Sequence, residues 1–206
     1  MFLRRFVLGA LASVPLLTAL PGAAFALPPD QARAFIQQAG DRLVAIVNGP
    51  GSQSQKANAL RDLVNQVVAV DQVGDYVLGR YINIATPEQK QQFHSLFRQL
   101  IAYNITYQIK AYQGVSFKVN GTAPQGNGVV VDTTVTAPDK QPADVGWVVE
   151  DVGGQPKIVD VIVAGTSLRI TTRNDYAGVI NDNGGRFAAL LTAMQNQIDK
   201  IAAQSG

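Results

Sequence analysis

Residues 157–176, KIVDVIVAGTSLRITTRNDY, decide the fold. Ile158, Val159, Val161, Ile162 and Val163 are β-branched and interrupted only by Asp160, the composition of a strand. Ala164-Gly165 reads as a turn. Thr166 or Ser167 then caps a helix that opens at Leu168 and carries Arg169, Arg173 and Tyr176. A strand this apolar is buried on both faces, or has one face in the core and the other lining an apolar cavity. Polar groups collect only at its end.

The segments upstream have the same character. Residues 145–152, with Trp147, Val148 and Val149, form a strand joined to 158–163 by the hairpin turn Gly153-Gly154-Gln155-Pro156. Residues 129–136 form another, followed by a loop at 138–142. Val115, Phe117 and Val119 alternate with polar residues, and 121–128 reads as the turn after them. Four consecutive strands with short loops make an antiparallel meander.

Helical periodicity fills the rest. Ala32, Phe35, Ile36, Ala39, Leu43, Ile46 and Val47 form one stripe, ended by Asn48-Gly49-Pro50-Gly51. After a polar Ser/Gln linker, Leu60, Leu63, Val64, Val67 and Val68 form a second. Asp71 is placed to cap a short third helix. Thr86-Pro87-Glu88-Gln89 is the clearest start in the chain, with Thr86 as N-cap, Pro87 at the first helical position and Gln89 closing a capping box. That helix is expected to reach about residue 112, with Ile101, Ile105 and Ile109 on one stripe and Tyr103 and Tyr107 on another. A helix apolar on two faces is buried, or packs on one side and lines a cavity on the other. A fifth helix over 167–180 and a sixth carrying Phe187, Leu190, Leu191, Met194, Ile198 and Ile201 complete the count. The expected fold is α+β: a four-stranded antiparallel sheet with about six helices packed over one face, enclosing an apolar cavity.

Residues 1–26 read as a cleaved signal peptide. Arg4 and Arg5 precede an apolar run over 6–20, and Ala24-Phe25-Ala26 is a small-x-small site, so cutting is expected after Ala26. The adjacent arginines leave a twin-arginine export route open beside the general one. Residues 27–206 are expected to be one domain. Removing Arg4 and Arg5 leaves 15 Lys and Arg facing 15 Asp and Glu. No basic stripe suits nucleic acid. With no cysteine, disulfides, thiol catalysis, thiolate metal sites and a lipidated cysteine are all excluded. The processed chain is expected to be soluble and exported, most simply to a bacterial periplasm.

Candidate chemistry is sparse. His94, the single histidine, has no cysteine or second histidine to share a metal. Asp132 and Asp160 stand inside apolar strands. Pointing inward they would be acid or base candidates; outward, or bonded to nearby backbone, they are structural. Six tyrosines, Tyr76, Tyr81, Tyr103, Tyr107, Tyr112 and Tyr176, suit core packing or an amphipathic cavity lining. Arg80, Arg169 and Arg173 are surface charges or salt-bridge partners. At a cavity mouth, though, a guanidinium such as that of Arg173 could hold a phosphate.

Three stretches carry a family resemblance. The first is Val70-Asp71 through Val77-Leu78-Gly79-Arg80-Tyr81, then Ala85-Thr86-Pro87-Glu88-Gln89 with Phe93 and Phe97. The second is Val130-Val131-Asp132-Thr133. The third is Lys157-Ile158-Val159-Asp160-Val161 with Gly165-Thr166-Ser167-Leu168 and Arg173. In this order, behind a signal peptide, the chain resembles the MlaC or toluene-tolerance family of periplasmic phospholipid-binding proteins. It departs from the family at Ile82 or Asn83, where a Trp is common, and at Thr172, where an aromatic is common.

The resemblance implies a monomeric, non-enzymatic carrier without cofactor. It would shuttle phospholipid between an outer-membrane lipoprotein complex and an inner-membrane ABC transporter with an MCE-domain ring. Acyl chains would lie between helices and sheet. Each buried methylene is worth about 0.8 kcal/mol, so two tails need no specific polar contact. For such a carrier the expected lining is Leu78, Tyr81, Phe97, Leu100, Tyr103 and Tyr107 from the helices, Val131, Val149, Val161 and Val163 from the sheet, chosen by period-two alternation that a one-residue slip would invert, and Leu168 at the turn, with Arg173 at the mouth for the headgroup. A Trp at position 163 is expected to expel lipid. A hopanoid-associated branch of the family makes a hopanoid the alternative cargo. Outside the carrier class stand a small enzyme using Asp132 or Asp160 with a tyrosine, and a structural or chaperone-like module.

Overall fold

The computed structural model of the chain describes residues 27–107, 113–138 and 140–205. The expected leader, and Ile109 and Tyr112 of the long helix, lie outside the described residues. The order is α1 (Pro29–Asn48), α2 (Gln53–Val67), α3 (Val70–Leu78), a 3₁₀ turn (Gly79–Asn83), α4 (Pro87–Tyr107), β1 (Ser116–Gln125), β2 (Gly128–Thr136), β3 (Ala143–Val152), β4 (Gln155–Val163), β5 (Thr166–Ser167), α5 (Leu168–Asp182) and α6 (Phe187–Ser205). The strands form one antiparallel sheet in chain order. The α+β expectation holds, with five strands in place of four. The fifth arises because Thr166 and Ser167 fold back on β4, pairing Val163 with Thr166 and Ile162 with Ser167. Ala164 and Gly165 turn that hairpin with φ of 49° and 76°, the positive values a two-residue hairpin needs.

Local chemistry accounts for the element ends. Thr86 and Gln89 make the expected capping box: the Gln89 N–H donates to Thr86 Oγ1 at 3.2 Å, and the Thr86 N–H to Gln89 Oε1 at 3.0 Å. The supposed Ser/Gln linker is a second box. Ser52 Oγ accepts from the Gln55 N–H and Gln55 Oε1 from the Ser52 N–H, so α2 begins at Gln53. Asp71 caps nothing; it sits in the first turn of α3 behind Ala69. β1 also runs past the turn expected at 121–128. An extra residue, Asn120, bulges between Val119 and Gly121, and the strand continues to a two-residue turn at Gly126-Asn127.

Two main cores result. In one, Leu27 just ahead of α1, with Ala32 and Ile36 of α1 and Leu63 and Val67 of α2, lies on the sheet residues Val129, Val131, Val149 and Ile158. Gly40 permits this contact, since a Cβ there would stand 2.5 Å from the Phe117 ring. The other core is helical. Leu78, Tyr81, Phe93, Phe97 and Leu100 meet Ile180, Phe187, Leu190 and Met194. α2 joins the two, with Leu63 and Val67 toward the sheet and Val64 in the helical core. The outer edge of β4 is occupied where the chain passes from α2 to α3: the Ala69 N–H donates to Ile158 O at 3.0 Å.

Asp160 ties β4 to β5 and α5. It is buried, 7% exposed. Its Oδ1 accepts from the N–H groups of Val161 (2.8 Å) and Arg169 (3.0 Å). Its Oδ2 accepts from the Ser167 hydroxyl at 2.5 Å, and that hydroxyl in turn accepts from the Ile170 N–H at 3.1 Å, capping α5. Arg169 Nε stands 3.8 Å from Oδ2. A carboxylate so engaged is structural. Asp132, the other acid considered as a catalytic candidate, is exposed. Replacing Asp160 by Ala strands three donors in a buried setting and is expected to lower unfolding free energy by about 3 kcal/mol, read from the denaturant midpoint.

Tyr176 gives the fold a pH signature. Its ring meets those of Phe93 and Phe97 edge-on at 6.1 and 6.4 Å. Burial, with a smaller push from Asp175, raises its hydroxyl to about 12. The unfolded chain ionises this group near pH 10 and the folded chain two units higher. Its contribution is therefore intact below pH 10 and lost as pH climbs to about 12. Tyr176→Phe is expected to flatten the alkaline fall in melting temperature relative to the natural chain.

Candidate functional site

α3 ends at Gly79, whose φ of 51° and ψ of −126° suit only glycine. The 3₁₀ turn beyond α3 carries Arg80 and Tyr81 against α5. Leu78, Arg80, Tyr81, Arg173, Asn174 and Ala177 enclose a cleft of about 220 Å³. Four of these, Leu78, Arg80, Tyr81 and Arg173, are residues the sequence singled out. The floor is continuous with the helical core, because Leu78 and Tyr81 are buried members of it, together with Phe97 and Leu100.

The walls are pinned by hydrogen bonds. Arg80 Nη2 donates to Tyr81 Oη at 2.8 Å, and Tyr81 Oη donates to Asn181 Oδ1 at 2.7 Å. This closes the 3₁₀ turn onto α5. Arg173 is held by shape instead. Its guanidinium lies 5.3 Å from the Tyr76 ring centre and against the backbone of Gly79, where a Cβ would come within 2.9 Å of it. Arg169 covers the same tyrosine at 4.0 Å.

Charge separates these arginines. Arg98 pairs with Asp71, and Arg169 approaches Asp160. Among the described residues, no carboxylate lies within ion-pair distance of Arg80 or Arg173. The cleft is therefore cationic at its rim and apolar at its base. His94 belongs elsewhere. Its Nε2 stands 3.1 Å from Asp75 and its Nδ1 3.7 Å from Asp71, linking α4 to α3. Among the described residues, no group of acids and histidines is arranged to hold a metal ion.

The remaining expected lining is spread over the molecule. Phe97 and Leu100 are buried in the helical core and Tyr103 packs against it, half-buried. Tyr107 is the last residue of α4, and its side chain lies outside the described residues. Val131 and Val149 belong to the other core, with Val161 packed beside them under α1 and α2. Val163 and Leu168 are 36% and 46% exposed, flanking the β4–β5 hairpin. A Trp at 163 thus has room outside the core. Sequence reasoning gives no role to Asn174 or Ala177, uses Gly79 only within the family motif, and leaves Arg80 a surface charge, a salt-bridge partner or a phosphate contact. The available signal is the Gly79-Arg80-Tyr81 triplet at a helix end. A second, more open cleft of about 460 Å³ is lined by Val68, Ala69, Asp71, Arg98, Val152 and Lys157, among others.

Gly79→Ala would force a side chain into a glycine-only conformation and into the Arg173 guanidinium. It is expected to cost about 2 kcal/mol in chemical denaturation.

The MlaC protein family profile matches residues 37–196. The intermembrane phospholipid transport system binding protein MlaC of Haemophilus influenzae is 25% identical over 171 residues, 78% of this chain and 79% of that protein. Toluene tolerance protein ttg2D of Pseudomonas putida is 26% identical over 205 residues, 96% of this chain and 92% of that protein. Among solved structures, a phospholipid-binding protein from Ralstonia solanacearum, in complex with a phospholipid, superposes with a TM-score of 0.74 at 22% identity. The match covers 84% of this chain and 99% of that one.

Proposed function

This chain belongs to the MlaC family, and from that membership we propose that it is an exported, non-enzymatic phospholipid carrier. The observation that carries the proposal is the cleft between the 3₁₀ turn and α5. The apolar core reaches the cleft there, through the buried Leu78 and Tyr81, beneath a rim bearing two guanidinium groups without carboxylate partners among the described residues. That arrangement matches an amphiphile: tails toward the core, a phosphate at the rim. At about 220 Å³ the cleft is smaller than the roughly 300–1,000 Å³ of sites that enclose a whole small molecule. It is suited to a headgroup, with the tails parting the side chains beyond it. Tail burial supplies the affinity, about 0.8 kcal/mol per methylene.

In this reading Leu78, Tyr81, Phe97, Leu100, Tyr103 and Tyr107 line the tail path and Arg173 receives the headgroup. The sheet residues expected on the path lie away from this cleft: Val131, Val149 and Val161 under α1 and α2, and Val163 and Leu168 exposed at the β4–β5 hairpin. The leader is removed after Ala26, and the processed protein works in the periplasm as a monomer. It carries lipid between an outer-membrane lipoprotein complex and an inner-membrane MCE-domain ABC transporter. Balanced net charge suits such a carrier, since a cationic one would be retained at anionic membranes. The engagement of Asp160 by backbone and hydroxyl donors supports a role without proton transfer.

Native mass spectrometry of protein purified from the periplasm, with solvent extraction of bound material, tests this. A co-purifying diacyl phospholipid is expected. A hopanoid would keep the carrier and change its cargo, and a protein that takes up neither would overturn the proposal. Ala177→Trp, which fills the cleft opening, is expected to remove most of the co-purifying lipid while leaving the circular dichroism spectrum unchanged.

A further inference from the structure

The two rim arginines differ from Arg98 and Arg169 in what positions them. Arg98 and Arg169 lie beside carboxylates. Arg80 is placed by the Tyr81 hydroxyl, with its guanidinium carbon 5.0 Å from that ring's centre. Arg173 is placed by the Tyr76 ring and the notch over Gly79. Neither device neutralises charge. Stacking and a hydroxyl contact fix a guanidinium while leaving most of its five N–H donors available. Both side chains are exposed at one cleft. Two like charges held there without a carboxylate partner among the described residues raise the local positive potential, a cost that a ligand anion would relieve.

We propose that Arg80 and Arg173 together form a receptor for a phosphate-ester oxyanion and bias the cargo toward lipids whose headgroup is net negative. This rests on the carrier reading above and extends it from lipid in general to a headgroup class. Zwitterionic headgroups bring a phosphate too, but their ammonium group would sit in the same positive field and cancel much of the gain. A headgroup with only its phosphate charge keeps all of it. Because the site is exposed, the preference is modest and salt-dependent: roughly threefold to tenfold enrichment, declining as ionic strength rises.

The test incubates the processed protein with vesicles holding equal amounts of a phosphatidylglycerol and a phosphatidylcholine with matched acyl chains. The bound lipid is re-isolated, extracted and its ratio measured. The natural chain is expected to be enriched in phosphatidylglycerol, and the Arg80→Gln/Arg173→Gln variant to lose that enrichment. Melting curves of both confirm the fold. Bound lipid at the vesicle's own ratio in the natural chain overturns this inference and leaves the carrier reading standing. Enrichment that persists in the double variant overturns the assignment to these arginines. Uptake of neither lipid overturns the carrier reading and this inference with it. Titrating inorganic phosphate at constant ionic strength onto lipid-free and phosphatidylglycerol-loaded protein separates the sources of the anion. Weaker phosphate binding to the loaded protein supports a headgroup site, and equal binding to both overturns the headgroup assignment.

Discussion

One buried carboxylate organises the half of the molecule that carries the candidate site. A charge taken out of water is tolerated only when donors surround it. Asp160 meets that condition by gathering the Val161 and Arg169 N–H groups and the Ser167 hydroxyl. Those donors come from β4, β5 and the first turn of α5. Satisfying the carboxylate therefore fixes the direction in which α5 leaves the sheet. With α5 fixed, Arg169 and Arg173 both come over Tyr76 of α3, and Arg173 meets Gly79. The rim of the cleft is set, in this sense, by an acid that does not touch it.

The fold is legible wherever the signal is local. β-branched runs, the Thr86 capping box and the Ala164-Gly165 turn all behave as their chemistry requires. The sequence misleads where a local pattern is weak or its meaning is tertiary. Ser52 and Gln55 repeat the Thr86–Gln89 spacing, but a tract of small polar residues masks it. Gly121 looks like a turn, yet Asn120 absorbs the irregularity as a bulge and the strand goes on. Thr166 and Ser167 read as helix caps because nothing in a two-residue stretch announces a strand; Ser167 is both.

The site is less legible than the fold for a related reason. Periodicity says which residues share a face and leaves open which neighbour covers it. Val131, Val149 and Val161 do share a face, and α1 and α2 cover it. Leu78, Tyr81 and Arg173 can be nominated separately, but their meeting depends on where α5 crosses α3. An arginine's partner is equally invisible along the chain. Arg80 and Arg173 look no different from Arg98 and Arg169 until acids are placed around them.

The treatment of the sheet's edges has a consequence for life in a crowded compartment. A long, regular edge strand offers its unpaired amides to any other extended chain and invites fibrous self-association. Here the β4 side is closed twice: β5 pairs near one end, and Val68 with Ala69 occupies Ile158 at the other. On the opposite side, β1 is broken at Asn120, whose carbonyl accepts a hydrogen bond from Arg33 of α1. Pro124 removes another donor from the same strand. A protein rich in valine strands thus presents no uninterrupted ladder on either flank among the described residues. Little of either edge is left for another extended chain to pair with.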